Sequence, residues 1–124
     1  MSGMDGKDPL THRILAAAFE VSNSLGHGFL EVVYQKALVH ELILAGMTVD
    51  REKVFKVIYK GADIGTYIAD MVVDEQVVVE LKSVEALNPA HTAQCLNYLR
   101  ASGLKTGLLL NFGKPRIEYK RLVL

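Results

Sequence analysis

The hydrophobic period of this chain changes near Glu52, and this change limits what the chain can fold into. Apolar residues recur at helical spacing before that point, whereas later segments alternate or form continuous β-branched runs, as strands do. Two runs, Met71–Val73 and Val77–Leu81, are apolar on both faces apart from Glu80. Such runs are expected of central strands that are covered on both sides. The sequence therefore predicts a sheet with its middle strands buried.

Capping and turn residues divide the chain into eight predicted elements. Asp8-Pro9 and Asn88-Pro89 each combine an N-cap residue with a first-turn proline, which predicts the start of a helix. Glycines and polar turn residues predict where elements end. The predicted helices run from Pro9 to about Ser24, Phe29–Ala45 and Ala90–Ala101, and the predicted strands are Lys53–Lys60, Ile64–Val73, Val77–Ser83, Lys105–Phe112 and Arg116–Val123.

The order ααβββαββ predicts a single α/β domain over residues 1–124, with a central mixed sheet flanked by helices. The first three strands are expected to form an antiparallel meander, because short turns join them. The third helix is long enough to be a crossover, which permits a parallel pairing of the strands on either side of it. Residues 1–7 are expected to be flexible.

Composition excludes several classes of protein. Half of the 124 residues are apolar and 23% are charged, which matches a globular domain rather than a disordered, collagen-like or membrane sequence. No apolar run approaches the roughly 20 residues that cross a bilayer, and the start lacks a signal peptide, so no membrane association and a cytoplasmic location are expected. The single cysteine, Cys95, cannot form an internal disulfide, and its helical context favours a small buried hydrophobe over a nucleophile.

The net charge is zero, which argues against a protein that holds nucleic acid by overall positive charge. Residues 100–124 nevertheless carry six basic side chains against the single acid Glu118. Two interpretations stay open: a flank that faces phosphates, or a Lys/Arg-rich edge strand that resists aggregation.

Three charged residues, Asp70, Glu80 and Lys82, lie inside strands that otherwise look buried. A buried ion is costly unless it is paired or binds a metal. If residues 74–76 form a three-residue turn, Asp70 lies opposite Glu80, with Cβ atoms about 4.5–5.5 Å apart. Two carboxylates that close repel each other unless a proton or cation lies between them. The pattern therefore indicates a divalent cation site, with the Leu81 carbonyl as a further oxygen ligand and Lys82 on the same face. A buried salt-bridge cluster without metal is the alternative.

Two helices offer further polar residues. Gln94 and Tyr98 are at i and i+4 on the third helix, and His91 precedes Gln94 by three residues, so the three share one stripe. This stripe could face either the charged cluster or water. Glu31 and Tyr34 begin the second helix, where an acid is already favoured by the helix dipole.

Together these residues resemble the GxxExxY protein family, which is placed in the PD-(D/E)XK nuclease superfamily. The resemblance covers nearly the whole chain, through Gly28-x-x-Glu31-x-x-Tyr34, Tyr67-x-x-Asp70, Glu80-Leu81-Lys82, Gln94-x-x-Asn97-Tyr98-Leu99-Arg100 and Asn111-Phe112-Gly113. Gln94-x-x-x-Tyr98 is similar to the motif that follows the catalytic lysine in exonuclease domains of bacterial recombination enzymes. Ala69 stands where the superfamily name has proline.

The resemblance implies a restriction-endonuclease-like fold and a nuclease site that uses Mg²⁺ or Mn²⁺. By this resemblance Asp70, Glu80, the Leu81 carbonyl and Glu31 hold the metal. Lys82 orients the attacking water, and Gln94 and Tyr98 hold Lys82 or the scissile phosphate. The implied partner is nucleic acid, with DNA favoured, and a homodimer or a larger repair or recombination partner is compatible with so small a domain. The alternatives are a module that binds nucleic acid or protein without catalysis, and hydrolysis of a small phosphorylated molecule.

Overall fold

A computed structural model describes residues 8–124, so the expectation for residues 1–7 lies outside the described part. Three helices are present: α1 (Pro9–Leu25), α2 (Glu31–Leu44) and α3 (Pro89–Ser102). Their starts follow from the capping residues. Asp8 accepts a hydrogen bond from the Leu10 amide at 3.1 Å, and Asn88 accepts from the first turn of α3. No helix within residues 8–124 is both long and apolar enough to cross a membrane.

Five strands form one mixed sheet. They are β1 (Val49–Tyr59), β2 (Ala62–Val73), β3 (Val77–Lys82), β4 (Thr106–Asn111) and β5 (Glu118–Val123), in the spatial order β1-β2-β3-β4-β5. All neighbours pair antiparallel except β3 and β4, which are parallel and joined through α3. The predicted α/β fold, the meander and the parallel pairing are confirmed.

The sheet is covered on both sides, as its apolar strands require. One face packs against α1 and α2, where Ile14, Leu38 and Leu42 contact alternate strand residues such as Val79 and Leu108. The other face packs against α3 through Tyr98 and Leu99. Burial of apolar surface on both faces explains why β3 carries valine at three successive positions.

The largest difference from the predicted boundaries is at β1, which begins at Val49 rather than Lys53. The consecutive polar residues Asp50-Arg51-Glu52 lack the apolar and polar alternation from which a strand is predicted. Pairing with β2 extends the strand, because Val49 lies opposite Val73 and Asp50 opposite Val72. Tertiary hydrogen bonding therefore overrides local propensity at this end.

Candidate functional site

The hairpin register places Asp70 opposite Glu80, as predicted. Val73 pairs with Val77, Val72 with Val78 and Met71 with Val79, so the next residues along each strand are Asp70 and Glu80. The register depends on the turn, in which Asp74 and Glu75 adopt left-handed backbone angles with φ of 51° and 57°. The Gln76 amide closes this turn by donating to the Val73 carbonyl at 3.0 Å.

Beyond Met71 and Val79, side chains take over the hydrogen bonding between the two strands. The Asp70 amide donates to Glu80 Oε2 at 2.8 Å, and the Leu81 amide donates to Asp70 Oδ2 at 2.7 Å. Each carboxylate therefore satisfies a backbone N–H of the opposite strand. The second oxygen of each carboxylate takes no part in these two bonds. Neither of these oxygens is fully buried without a partner, since Thr92 Oγ1 is the one side-chain polar atom in that state within residues 8–124.

The two carboxylates lie in a poorly solvated environment. Burial raises the pKa of Glu80 to about 8, the nearby Asp70 carboxylate raises it as well, and the hydrogen bond from the Asp70 amide opposes both effects. Burial also raises the pKa of Asp70, with the hydrogen bond from the Leu81 amide as the largest opposing influence. Two adjacent carboxylic acids are difficult to ionise together because their charges repel. This repulsion favours the binding of a proton or a cation between them.

Lys82 does not neutralise this pair by direct contact. Its Nζ donates to Gln94 Oε1 at 3.1 Å. The salt bridges formed within residues 8–124 are Lys56–Asp63 and Arg121–Asp8, so the alternative of a closed salt-bridge cluster is not observed. Leu81 points to the opposite face, where it is fully buried among the residues beneath α1 and α2. Lys82 and Gln94 thus present one polar surface beside the carboxylates.

Tyr98 brings α3 against the same centre. The side chain is buried, with 8% of its surface exposed. Burial raises the pKa of Tyr98 to about 12, and the charges of Glu80 and Asp70 raise it as well. For His91, whose stripe could face either the charged cluster or water, the structure shows a local contact. Its Nδ1 accepts from the Asn88 amide at 3.2 Å, so His91 completes the capping box of α3.

Glu31 approaches the centre from α2 without a hydrogen bond to its other members within residues 8–124. It is the first residue of the helix. Partial burial raises its pKa, as does the charge of Asp70, whereas Lys82 lowers it. Glu31 also lines a cavity of about 540 Å³ with Ser83 and Gly113. It therefore lies within electrostatic reach of the pair and borders open space.

Tyr34, the tyrosine of the GxxExxY motif, is a structural residue. It is fully buried, and its ring stacks on Phe112 with centroids 4.8 Å apart. Its hydroxyl donates to the Gly26 carbonyl at 2.8 Å and accepts from the Phe29 amide at 3.2 Å. These bonds fix the loop that leads into α2, and so fix where Glu31 begins the helix.

Several residues that support the site were not identified as such from the sequence. Gln35 is buried and donates from Nε2 to the Asp70 carbonyl at 3.1 Å, which ties α2 to the acid on β2. Asn111 is fully buried and holds the segment after β3 through both backbone groups of Val84. Buried amides in apolar elements are the signal that could have identified both, since such groups require partners.

The side chains of β1 and β2 change faces at the level of Asp70. Met71 packs beneath α1 and α2, whereas Ala69, two residues earlier, packs beneath α3. Strict alternation would place both on one face. In β1 the residue opposite Asp70 is Glu52, between the pairs Arg51–Met71 and Lys53–Ala69, and its φ is 49°. This left-handed residue breaks the regular pleat beside the acid.

No group of three or more His, Cys, Asp or Glu side chains within residues 8–124 is already arranged to hold a metal ion. The pre-formed part of the centre is the Asp70–Glu80 pair. Glu31 lies near it as a separate carboxylate, on a different element.

A family model of the PD-(D/E)XK nuclease superfamily matches residues 8–122. No curated protein matches the chain. Among solved structures, the crystal structure of SSO0001 is similar, with 16% sequence identity and a TM-score of 0.49 over 94% of this chain and 78% of that chain.

Proposed function

Because the chain belongs to the PD-(D/E)XK nuclease superfamily, we propose that it is a Mg²⁺- or Mn²⁺-dependent nuclease that hydrolyses phosphodiester bonds of nucleic acid, DNA in particular. The observation that carries the proposal is the Asp70–Glu80 pair, held by reciprocal backbone hydrogen bonds beside Lys82. The motif Gly28-x-x-Glu31-x-x-Tyr34 supports membership of the GxxExxY family within the superfamily. A cytoplasmic location and a partner in repair or recombination belong to the same proposal.

The chemistry of the donor set fits a hard divalent cation. Carboxylate and carbonyl oxygens are the ligands that Mg²⁺ accepts, and one oxygen of each acid is free of the backbone hydrogen bonds described above. Asp70, Glu80 and the Leu81 carbonyl would hold the ion. Glu31 would complete its environment through water, since Mg²⁺ retains several waters and the side chain lies on a separate helix. When bound, Mg²⁺ supplies an acidified water and offsets charge on the phosphate.

The chain's own residues would orient the reactants. Lys82 would direct its ammonium group toward the attacking water and the phosphate oxygens, since its Nζ contacts Gln94 Oε1 and forms no salt bridge within residues 8–124. Gln94 limits the positions that this ammonium group can take. Water loses a proton to solvent as its oxygen bonds to phosphorus, the bond to the leaving oxygen breaks, and the leaving oxygen takes a proton from solvent. Positive charge fixed beside the phosphate stabilises the transition state.

A cleavage assay tests the proposal. Labelled single-stranded DNA, double-stranded DNA, RNA and nucleotides are incubated with Mn²⁺ or Mg²⁺ and with wild type, Lys82→Ala or Lys36→Ala. Lys36 is an exposed lysine on α2 and serves as the matched control. We expect cleavage by wild type and Lys36→Ala and none by Lys82→Ala.

The other outcomes separate the alternatives. Equal cleavage by Lys82→Ala would indicate a contaminating enzyme and contradict the assignment. Binding of nucleic acid without cleavage under every metal condition would favour a non-catalytic module. Hydrolysis of nucleotides alone would indicate a small-molecule phosphodiesterase.

A further inference from the structure

A second cavity lies on the α3 side of the sheet, between that helix and the outer half of the β1–β2 hairpin. Its volume is about 460 Å³, within the range of small-ligand sites. The polar residues that line it are Lys56, Tyr67, Asn97 and Arg100. None of these four belongs to the metal and lysine centre described above.

Arg100 supplies an available positive charge at this cavity. It is exposed, and its Nη1 donates to Asn97 Oδ1 at 3.1 Å. No carboxylate lies within salt-bridge distance of it among residues 8–124, where Asp63 and Asp8 are the acids in salt bridges. The remaining N–H groups of the guanidinium are therefore free for an anion such as a phosphate.

Lys56 borders the cavity, but its side chain does not add to this charge. Phe55 packs on the α3 face, so alternation along β1 turns the Lys56 side chain to the opposite face of the sheet, where its Nζ lies 3.4 Å from Asp63 Oδ2.

Tyr67 supplies an aromatic surface and links the cavity to the acidic pair. Its ring meets Tyr98 edge to face, with centroids 4.9 Å apart and an interplanar angle of 88°. The charges of Glu80 and Asp70 in turn raise the pKa of Tyr98. Tyr67 precedes Asp70 by three residues, or roughly 10 Å along an extended strand. Arg100 follows Gln94 by six residues, or roughly 9 Å along the helix axis.

We propose that this cavity binds a nucleotide of the strand that is cut, with its phosphate at Arg100 and its base against Tyr67. The inference rests on the proposed function, for which it names the form of the substrate as single-stranded nucleic acid. A base must leave its stack to meet an aromatic ring in a cavity, which single strands allow and duplexes resist.

Equilibrium binding without turnover tests this inference. A fluorescent oligothymidylate of about a dozen nucleotides is titrated with protein, once with EDTA and once with Ca²⁺, at several salt concentrations. The variants are Arg100→Gln, Tyr67→Leu and Tyr67→Phe, with Lys36→Gln as the charge-matched control on α2, the layer on the opposite face of the sheet. Circular dichroism melting confirms that each variant is folded.

We expect Arg100→Gln to weaken binding by about five- to tenfold and to reduce the slope of log affinity against log salt by about 0.7, the value for one phosphate contact on a single strand. Tyr67→Leu should weaken binding by about tenfold, whereas Tyr67→Phe keeps the ring and stays within about twofold of wild type. Lys36→Gln should change neither affinity nor slope.

The inference is wrong if wild type does not bind the oligonucleotide under either condition, or if Arg100→Gln retains both affinity and salt slope. It is also wrong if a duplex of the same length binds more tightly and loses the same affinity in both variants. If Tyr67→Leu does not fold, Arg100→Gln decides, because that side chain is exposed. Failure of the proposed function has a different signature, namely intact and variant-sensitive binding without cleavage by any preparation.

Discussion

The backbone amide of Asp70 donates a 2.8 Å hydrogen bond to the carboxylate of Glu80, across the point where the β2–β3 ladder of backbone bonds ends. The carboxylate of Asp70 accepts the equivalent bond from the residue after Glu80, at 2.7 Å. Two acids that would otherwise repel are thus part of the strand pairing itself. Their separation is set by the sheet and not by flexible side chains, as a site that binds a small cation requires.

The acidic pair predicts a pH dependence of stability in metal-free protein. Burial raises the pKa of Glu80 in the folded state to about 8, above the ordinary glutamate value of 4.5. The folded state therefore binds more protons than the unfolded state between these values, and stability falls as pH rises from about 5 to about 8. Thermal melting in EDTA across this range measures the effect. Glu80→Gln should flatten the curve, whereas an unchanged pH dependence in that variant would refute the assignment.

The Lys82–Gln94 contact predicts a graded loss of activity. Gln94→Leu removes the acceptor of the Lys82 ammonium group and should slow cleavage by about 10- to 100-fold, because a catalytic group loses its position but remains present. Lys82→Ala should be slower still, and the double variant should resemble Lys82→Ala because the two residues act together. The exposed Gln76, in the β2–β3 turn, gives the control Gln76→Leu. Multiplicative effects in the double variant would show that the residues act independently.

The buried hydroxyl of Tyr34 predicts a loss of stability in Tyr34→Phe. That change keeps the ring stacked on Phe112 but leaves the Gly26 carbonyl and the Phe29 amide without their partner. Stability should fall by about 1–3 kcal/mol, as measured by urea unfolding. Tyr119→Phe on β5 is the control, since Tyr119 is 45% exposed and should change stability little. Equal effects of the two substitutions would remove the structural role assigned to this hydroxyl.

The close approach of Gly113 to Val84 predicts that alanine is not tolerated at position 113. A Cβ there would overlap with the backbone N and O of Val84, in the segment that Asn111 holds after β3. Gly113→Ala should cost about 1–3 kcal/mol, because the obstruction is backbone and not a flexible side chain. Gly65→Ala meets nothing within 4 Å and should be close to neutral. Chemical denaturation of both variants measures the contrast, and a neutral Gly113→Ala would contradict the packing described.

Local sequence patterns were sufficient to predict the helices, the strands and the acidic pair of the candidate site. Hydrophobic period separated helices from strands, and the cap-then-proline pairs located the starts of α1 and α3. The three-residue turn fixed the register that places Asp70 opposite Glu80. These features depend on neighbouring residues, so local steric and hydrogen-bonding rules are sufficient to predict them.

Tertiary packing determined how distant segments meet at that site. It paired Lys82 with Gln94 rather than with a carboxylate, and it joined Gln35 to the backbone of Asp70. It also changed the faces of β1 and β2 beside Glu52. Each outcome depends on partners far along the chain, because a buried polar group takes whichever partner packing brings within reach. Periodicity cannot specify that partner.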